Sequence, residues 1–230
     1  MNPHTHSFAE GAMLLVDKPL GWTSFDVVNK LKKLTHVKVG HSGTLDPLAT
    51  GLLICCTGKK TRALAALQHL PKQYAGIFRL GATTPSDDLE TEPREHRPYE
   101  YLNDALLQET ARQFLGVQQQ VPPLYSAVKK QGVPLYRHAR QGRMVEVEPR
   151  TIQIMRFDIV SIHLPFVHVE VACSSGTYIR ALARDFGKRL GCGAYLFALR
   201  RLAIGPYRVE EALSIFEWEQ RIRQINAQRP

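Results

Sequence analysis

Residues 152–202 read IQIMRFDIVSIHLPFVHVEVACSSGTYIRALARDFGKRLGCGAYLFALRRL, and the order of patterns within them decides the fold class. Residues 152–162 and 166–173 are two strand-length runs rich in β-branched residues, spaced as a hairpin. Residues 175–190 then change period, with Ile179, Leu182, Ala183 and Phe186 on one helical stripe. Residues 195–202 return to a strand pattern. A hairpin followed by a helix and another strand predicts an α+β fold with a mixed sheet.

The rest of the chain extends that reading in both directions. A strand over 12–17 is stopped by the turn Lys18-Pro19-Leu20-Gly21. Thr23 or Ser24 then caps a helix to about residue 34, with Phe25, Val28, Leu31 and Leu34 on one face. Residues 39–51 are glycine-rich and aperiodic, a loop. Residues 52–56 form a short strand, a helix runs to about residue 70, and 73–80 alternates as a half-buried strand does. Residues 85–101 read as an exposed acidic loop in which Asp87 and Asp88 are solvated. A helix is expected over 104–115, and residues 117–150 show little regular pattern. In a compact domain so long an excursion carries function or is disordered. A helix is expected at 210–225, within a C-terminal stretch of 209–230.

The composition is that of one globular domain over 1–230: 44% apolar and 22% charged residues supply a large core. No run approaches the ~20 apolar residues of a membrane span. The opening MNPHTHSFAEGAMLLVDKP is acidic and only briefly apolar, unlike a secretory signal, so a cytoplasmic protein is expected. Cys55, Cys56, Cys173 and Cys192 lack metal-site spacing and are expected to be buried reduced thiols. His4, His6 and His36 have no ligand spacing either, and no metal or cofactor is expected. The formal net charge of +9 is spread in short groups rather than one basic tail. Such a surface suits a shaped polyanion, although ordinary solvated charge would look the same.

The stretch richest in chemistry is Gly40-His41-Ser42-Gly43-Thr44-Leu45-Asp46-Pro47-Leu48-Ala49-Thr50-Gly51. Its glycines permit tight turns and close approach of a ligand. His41 and Asp46 can both do acid/base or nucleophilic work, while a structural loop with Asp46 capping a turn before proline remains open on pattern alone. This stretch resembles the signature motif of the TruB family of tRNA pseudouridine synthases. Lys18-Pro19-Leu20-Gly21-Trp22-Thr23-Ser24 resembles that family's N-terminal element, Lys72-Gln73-Tyr74 its lysine–x–tyrosine strand, and Pro122-Pro123-Leu124-Tyr125-Ser126-Ala127-Val128-Lys129 the start of its RNA-clasping insertion. Gly176-Thr177-Tyr178-Ile179-Arg180-Ala181-Leu182-Ala183-Arg184-Asp185 and Leu199-Arg200-Arg201-Leu202 complete the series, in the family's order.

The resemblance implies a pseudouridine synthase fold: one catalytic domain with a central mixed, largely antiparallel sheet flanked by helices, and a protruding RNA-binding loop at 122–150. It implies isomerisation of uridine to pseudouridine at position 55 in the T-arm loop of tRNA, without a cofactor. Asp46 matches the catalytic aspartate, Arg180 its ion-pair partner, and Tyr74 the tyrosine against the flipped base. An aspartate is ionised at neutral pH and can act as nucleophile or proton acceptor; the sequence leaves open whether it attacks ribose or base, or assists elimination. His41 resembles the residue that enters the RNA loop, and Leu199 the apolar pocket wall. Lys18 and Lys72 match positions near the site, with structural and phosphate roles both open. Tyr178, Lys129, Arg137 and Arg140 are further RNA-contact candidates. The expected partner is the tRNA T-arm stem-loop, with no membrane or protein partner, and a monomer. Many members carry an additional C-terminal RNA-binding module, which is not expected here. The alternative is a non-catalytic RNA-binding or tRNA-folding protein on the same scaffold.

Overall fold

The computed structural model of the chain describes residues 8–130, 132–143 and 145–227. His4, His6 and the Lys129 side chain lie outside the described residues. In chain order the elements are β1 (Met13–Lys18), α1 (Ser24–Thr35), β2 (Val39–His41), β3 (Ala49–Thr57), α2 (Leu64–His69), β4 (Lys72–Leu80), α3 (Asp104–Arg112), β5 (Gly116–Gln120), β6 (Lys129–Lys130), β7 (Val133–Pro134), α4 (Leu135–Arg140), β8 (Arg150–His163), β9 (Phe166–Cys173), α5 (Ile179–Leu190), β10 (Ala194–Ile204), β11 (Tyr207–Arg208), β12 (Leu213–Ser214) and α6 (Ile215–Ala227). They form a mixed, largely antiparallel central sheet with flanking helices, as expected. The chain divides into two compact units, residues 1–74 with 200–230 and residues 75–199.

In the first unit β1 pairs antiparallel with β3 and parallel with β12, and β2 lies antiparallel on the far part of β3. β3 is buried on both faces: Leu53 and Cys55 pack with Val16, Leu31 and Trp218, while Leu52, Ile54 and Cys56 pack with Leu67, Ile204 and Val209. Strand alternation therefore sends the two adjacent cysteines into separate cores; all four cysteines are free and buried. Gly51 has φ +102°, and a Cβ there would lie 2.3 Å from the Arg201 carbonyl oxygen. Only glycine lets β3 meet β10 so closely. α1 starts on a capping box formed by Thr23 and Asp26.

In the second unit β8 pairs antiparallel with β5 and β9. Phe78, Phe114, Phe157 and Phe186 meet edge-on or tilted, with centroids 5.6–6.2 Å apart, and form an aromatic centre. Gly187 of α5 faces Ala194, whose amide a Cβ would overlap.

Four expectations are corrected. Residues 39–41 are a strand paired with 55–57, and β3 already starts at Ala49, so the loop is confined to 42–48. Residues 116–120 are a strand rather than the start of an irregular excursion. As an edge strand with Val117 exposed, β5 carries too few apolar residues to show its period. The terminal helix starts at Ile215, because Leu213 and Ser214 pair with Val16 and Asp17, and Ser214 with Glu217 then caps the helix. Finally, Asp87 and Asp88 are buried, 7% and 5% exposed, because arginines of α5 neutralise them.

Candidate active site

In the first unit, Asp46 sits half-buried in the loop joining β2 to β3. That loop is held from three directions. From α1, the Ser24 hydroxyl accepts from the Leu45 amide at 2.9 Å and donates to its carbonyl at 3.2 Å. From the turn after β1, the Gly21 amide donates to the Pro47 carbonyl at 2.9 Å. The Lys18 ammonium, 0% exposed, donates to the carbonyls of Trp22 (2.6 Å), Pro19 (2.9 Å) and Pro47 (3.5 Å). From β10, the Arg201 guanidinium donates to the carbonyls of Leu52 (2.7 Å), Gly43 (3.2 Å) and Thr44 (3.4 Å). A carboxylate carried on a loop so fixed needs little reorganisation to act.

Electrostatics within this unit follow from burial. Burial draws the Lys18 ammonium down from 10.5 to about 8, with the Asp46 carboxylate opposing the shift and Arg201 adding to it. Lys18, Asp46 and Arg201 thus share one field. His41 ends β2 opposite Cys55; it is half-buried, burial lowers its pKa, and its Nδ1 has no hydrogen-bond partner among the described residues. Tyr74 is a buried residue of β4. Lys72 is buried as well, and its ammonium donates to the carbonyls of Gln68 and Leu70 at the end of α2, where a cation complements the helix terminus.

The second unit holds Arg180 on the first turn of α5, 3% exposed. Its guanidinium donates to the carbonyls of Ser86 and Tyr125, both at 3.1 Å, and lies 3.5 Å from the Asp88 carboxylate. Tyr178, just before α5, donates its amide to the Gln120 side chain at 2.8 Å and accepts from it at 3.1 Å. Leu199 is half-buried on β10. Arg137 and Arg140 are exposed on α4, and Arg140 pairs with Glu90 at 2.9 Å.

The structure brings Asp46 together with Lys18, and it adds two arginines, Arg201 and Arg184, that stood within the family-like motifs without a role of their own. Arg201 is 1% exposed; the signal was an arginine in register with Ala203 on an apolar strand. Arg184 pairs with Asp87 at 2.9 Å; the signal was its spacing of four residues from Arg180, one helical turn. Among the described residues no three His, Cys, Asp or Glu side chains converge as a metal site, and no helix is long and apolar enough to cross a membrane.

Residues 31–179 match the TruB family pseudouridylate synthase N-terminal domain, and residues 180–223 match the tRNA pseudouridylate synthase B C-terminal domain. The tRNA pseudouridine synthase B of Flavobacterium johnsoniae is 50% identical over 224 residues, covering 94% of this chain and 98% of that protein. The protein of the same name from Chloroherpeton thalassium is 47% identical over 212 residues, covering 90% and 88%. Among solved structures, a Cbf5–Nop10–Gar1 complex gives a TM-score of 0.74 at 28% identity, covering 95% of this chain and 56% of that one. This chain spans about half the length of that structure's matching chain.

Proposed function

The chain belongs to the TruB family of tRNA pseudouridine synthases, and on that footing we propose that it isomerises the uridine at position 55 in the T-arm loop of tRNA. The observation that carries this reading is the loop between β2 and β3, pinned by Ser24, Lys18 and Arg201 with the Asp46 carboxylate on it. In the reaction the N1–C1′ bond breaks, the base turns, and a C5–C1′ bond forms. C5 gives up its proton and N1 takes one up, so atoms and electrons balance with no oxidant or reductant.

The target base is stacked in a folded RNA loop and must be extruded, at a cost of a few kcal/mol. Tyr74 offers a stacking face worth ~1–3 kcal/mol, Leu199 an apolar wall, and His41 fills the space the nucleotide leaves. Asp46 is the catalytic carboxylate, with Lys18 beside it. Arg180 supplies a fixed positive charge, and its replacement by alanine lowers turnover far more than tRNA affinity. Residues 122–150 clasp the RNA with Lys129, Arg137 and Arg140, as suits recognition of a splayed loop by shape; Tyr178 and Lys72 contribute near the site. The protein works as a monomer in the cytoplasm.

The test is position mapping. An unmodified tRNA transcript is incubated with the protein and its pseudouridines are located by carbodiimide labelling and primer extension. One new stop at the T-arm loop uridine is expected. Modification confined to another arm of the tRNA contradicts the assignment.

A further inference from the structure

Arg180 and Arg184 lie one turn apart on the same face of α5, and both reach the same two stretches of chain. Arg180 holds the carbonyls of Ser86 and Tyr125. Arg184 donates Nη1 to the Asp87 carboxylate and Nη2 to the Val121 carbonyl, both at 2.9 Å, while its Nε donates to Asp185 at 2.9 Å. Every edge of the guanidinium is engaged, a use for which lysine has no equivalent. Gln120 is fixed to both backbone groups of Tyr178. Residues 120, 121 and 125, the root of the 122–150 excursion, are therefore each fastened to α5 or to the residue before it. Past this root, the Tyr136 amide donates to the Ser126 carbonyl (3.1 Å) and the Lys130 ammonium to the Glu146 carbonyl, both within the excursion, while Arg140 reaches out of it to Glu90.

Asp87 bears marks of a residue placed for more than cohesion. It sits at φ +61°, a left-handed conformation that few residues other than glycine, asparagine and aspartate adopt. Its carboxylate is buried, and its own carbonyl accepts from the Leu196 amide at 2.9 Å. A carboxylate so constrained holds its arginine in one orientation.

Resting on the function proposed above, we propose that Arg184, oriented by Asp87, is a positioning residue that locks the root of the RNA-clasping excursion onto α5, so that tRNA meets a clasp already in register with Arg180. Without the lock, binding must order the root first, and that cost falls on affinity rather than on the chemical step.

The experiment measures kcat and KM for tRNA in the full chain, with amide hydrogen exchange in its absence. Arg184→Ala is expected to raise KM about tenfold with kcat within about twofold, and to speed exchange in 121–150 while the rest is unchanged. Asp87→Asn raises KM in the same direction, and the double variant is no worse than Arg184→Ala alone. Should Arg184→Ala fail to fold, Arg184→Lys keeps the charge beside Asp87 but loses the fork, and a KM rise of about threefold is expected. An unchanged KM, a loss confined to kcat, or a lower melting temperature with unchanged KM overturns the lock. If the wild-type protein forms no pseudouridine, the functional reading fails by itself, and unchanged exchange in 121–150 still decides against the lock.

Discussion

At the scale of single residues, the site is built by cations that spend themselves on carbonyls. Arg201 is the sharpest case, since it satisfies Gly43, Thr44 and Leu52 at once. Arg201→Met leaves those acceptors without a donor and is expected to cost about 2–4 kcal/mol of stability, read from urea midpoints, with activity falling as the Asp46 loop loosens. Lys18 makes a pH prediction. Its folded pKa, about 8, lies below the ordinary 10.5, so the folded chain holds this proton less tightly than the unfolded one. The resulting penalty is full below pH 8 and fades as pH climbs through 8 toward 10.5. Wild-type stability should therefore carry a rising component between pH 8 and 10 that Lys18→Met lacks; parallel stability profiles for the two proteins would refute it.

At the scale of elements, the pairing of β3 with β10 depends on Gly51. Gly51→Ala forces a Cβ against the Arg201 backbone and is expected to destabilise by more than ~2 kcal/mol, seen as a lowered melting temperature. In the excursion, Arg140 is held by Glu90, whereas Arg137 makes no ion pair among the described residues. Arg137→Ala should reduce the slope of log affinity for tRNA against log salt by about one, and Arg140→Ala by less. An equal slope in all three proteins contradicts phosphate contact by α4. Elements with strong periodicity were legible in the sequence: β9 was placed at 166–173 residue for residue, and α1 and β4 to within one or two. β5, β12 and the start of α6 were not, since short edge pairings are decided by partners far along the chain, Ile152 and Val16 among them. The 84–88 turn misled for a related reason: two adjacent aspartates look solvated until arginines almost a hundred residues later arrive to neutralise them.

At the scale of the whole molecule, the positive balance of +9 suits a polyanionic substrate without naming it. The ordered motifs named the family, and the matches over 31–223 agree. What no motif could convey was that part of the charge is interior: Lys18, Arg180 and Arg201 are buried and spend their donors on backbone carbonyls rather than on the surface. Everything converges on the work of one side chain. The most direct measurement is single-turnover release of label from uridine C5 in tRNA, with tRNA binding measured alongside, for wild type and Asp46→Asn. The predicted result is binding within about threefold of wild type and release slowed by at least about a thousandfold. Release by Asp46→Asn at the wild-type rate would show that the carboxylate is not what performs the reaction.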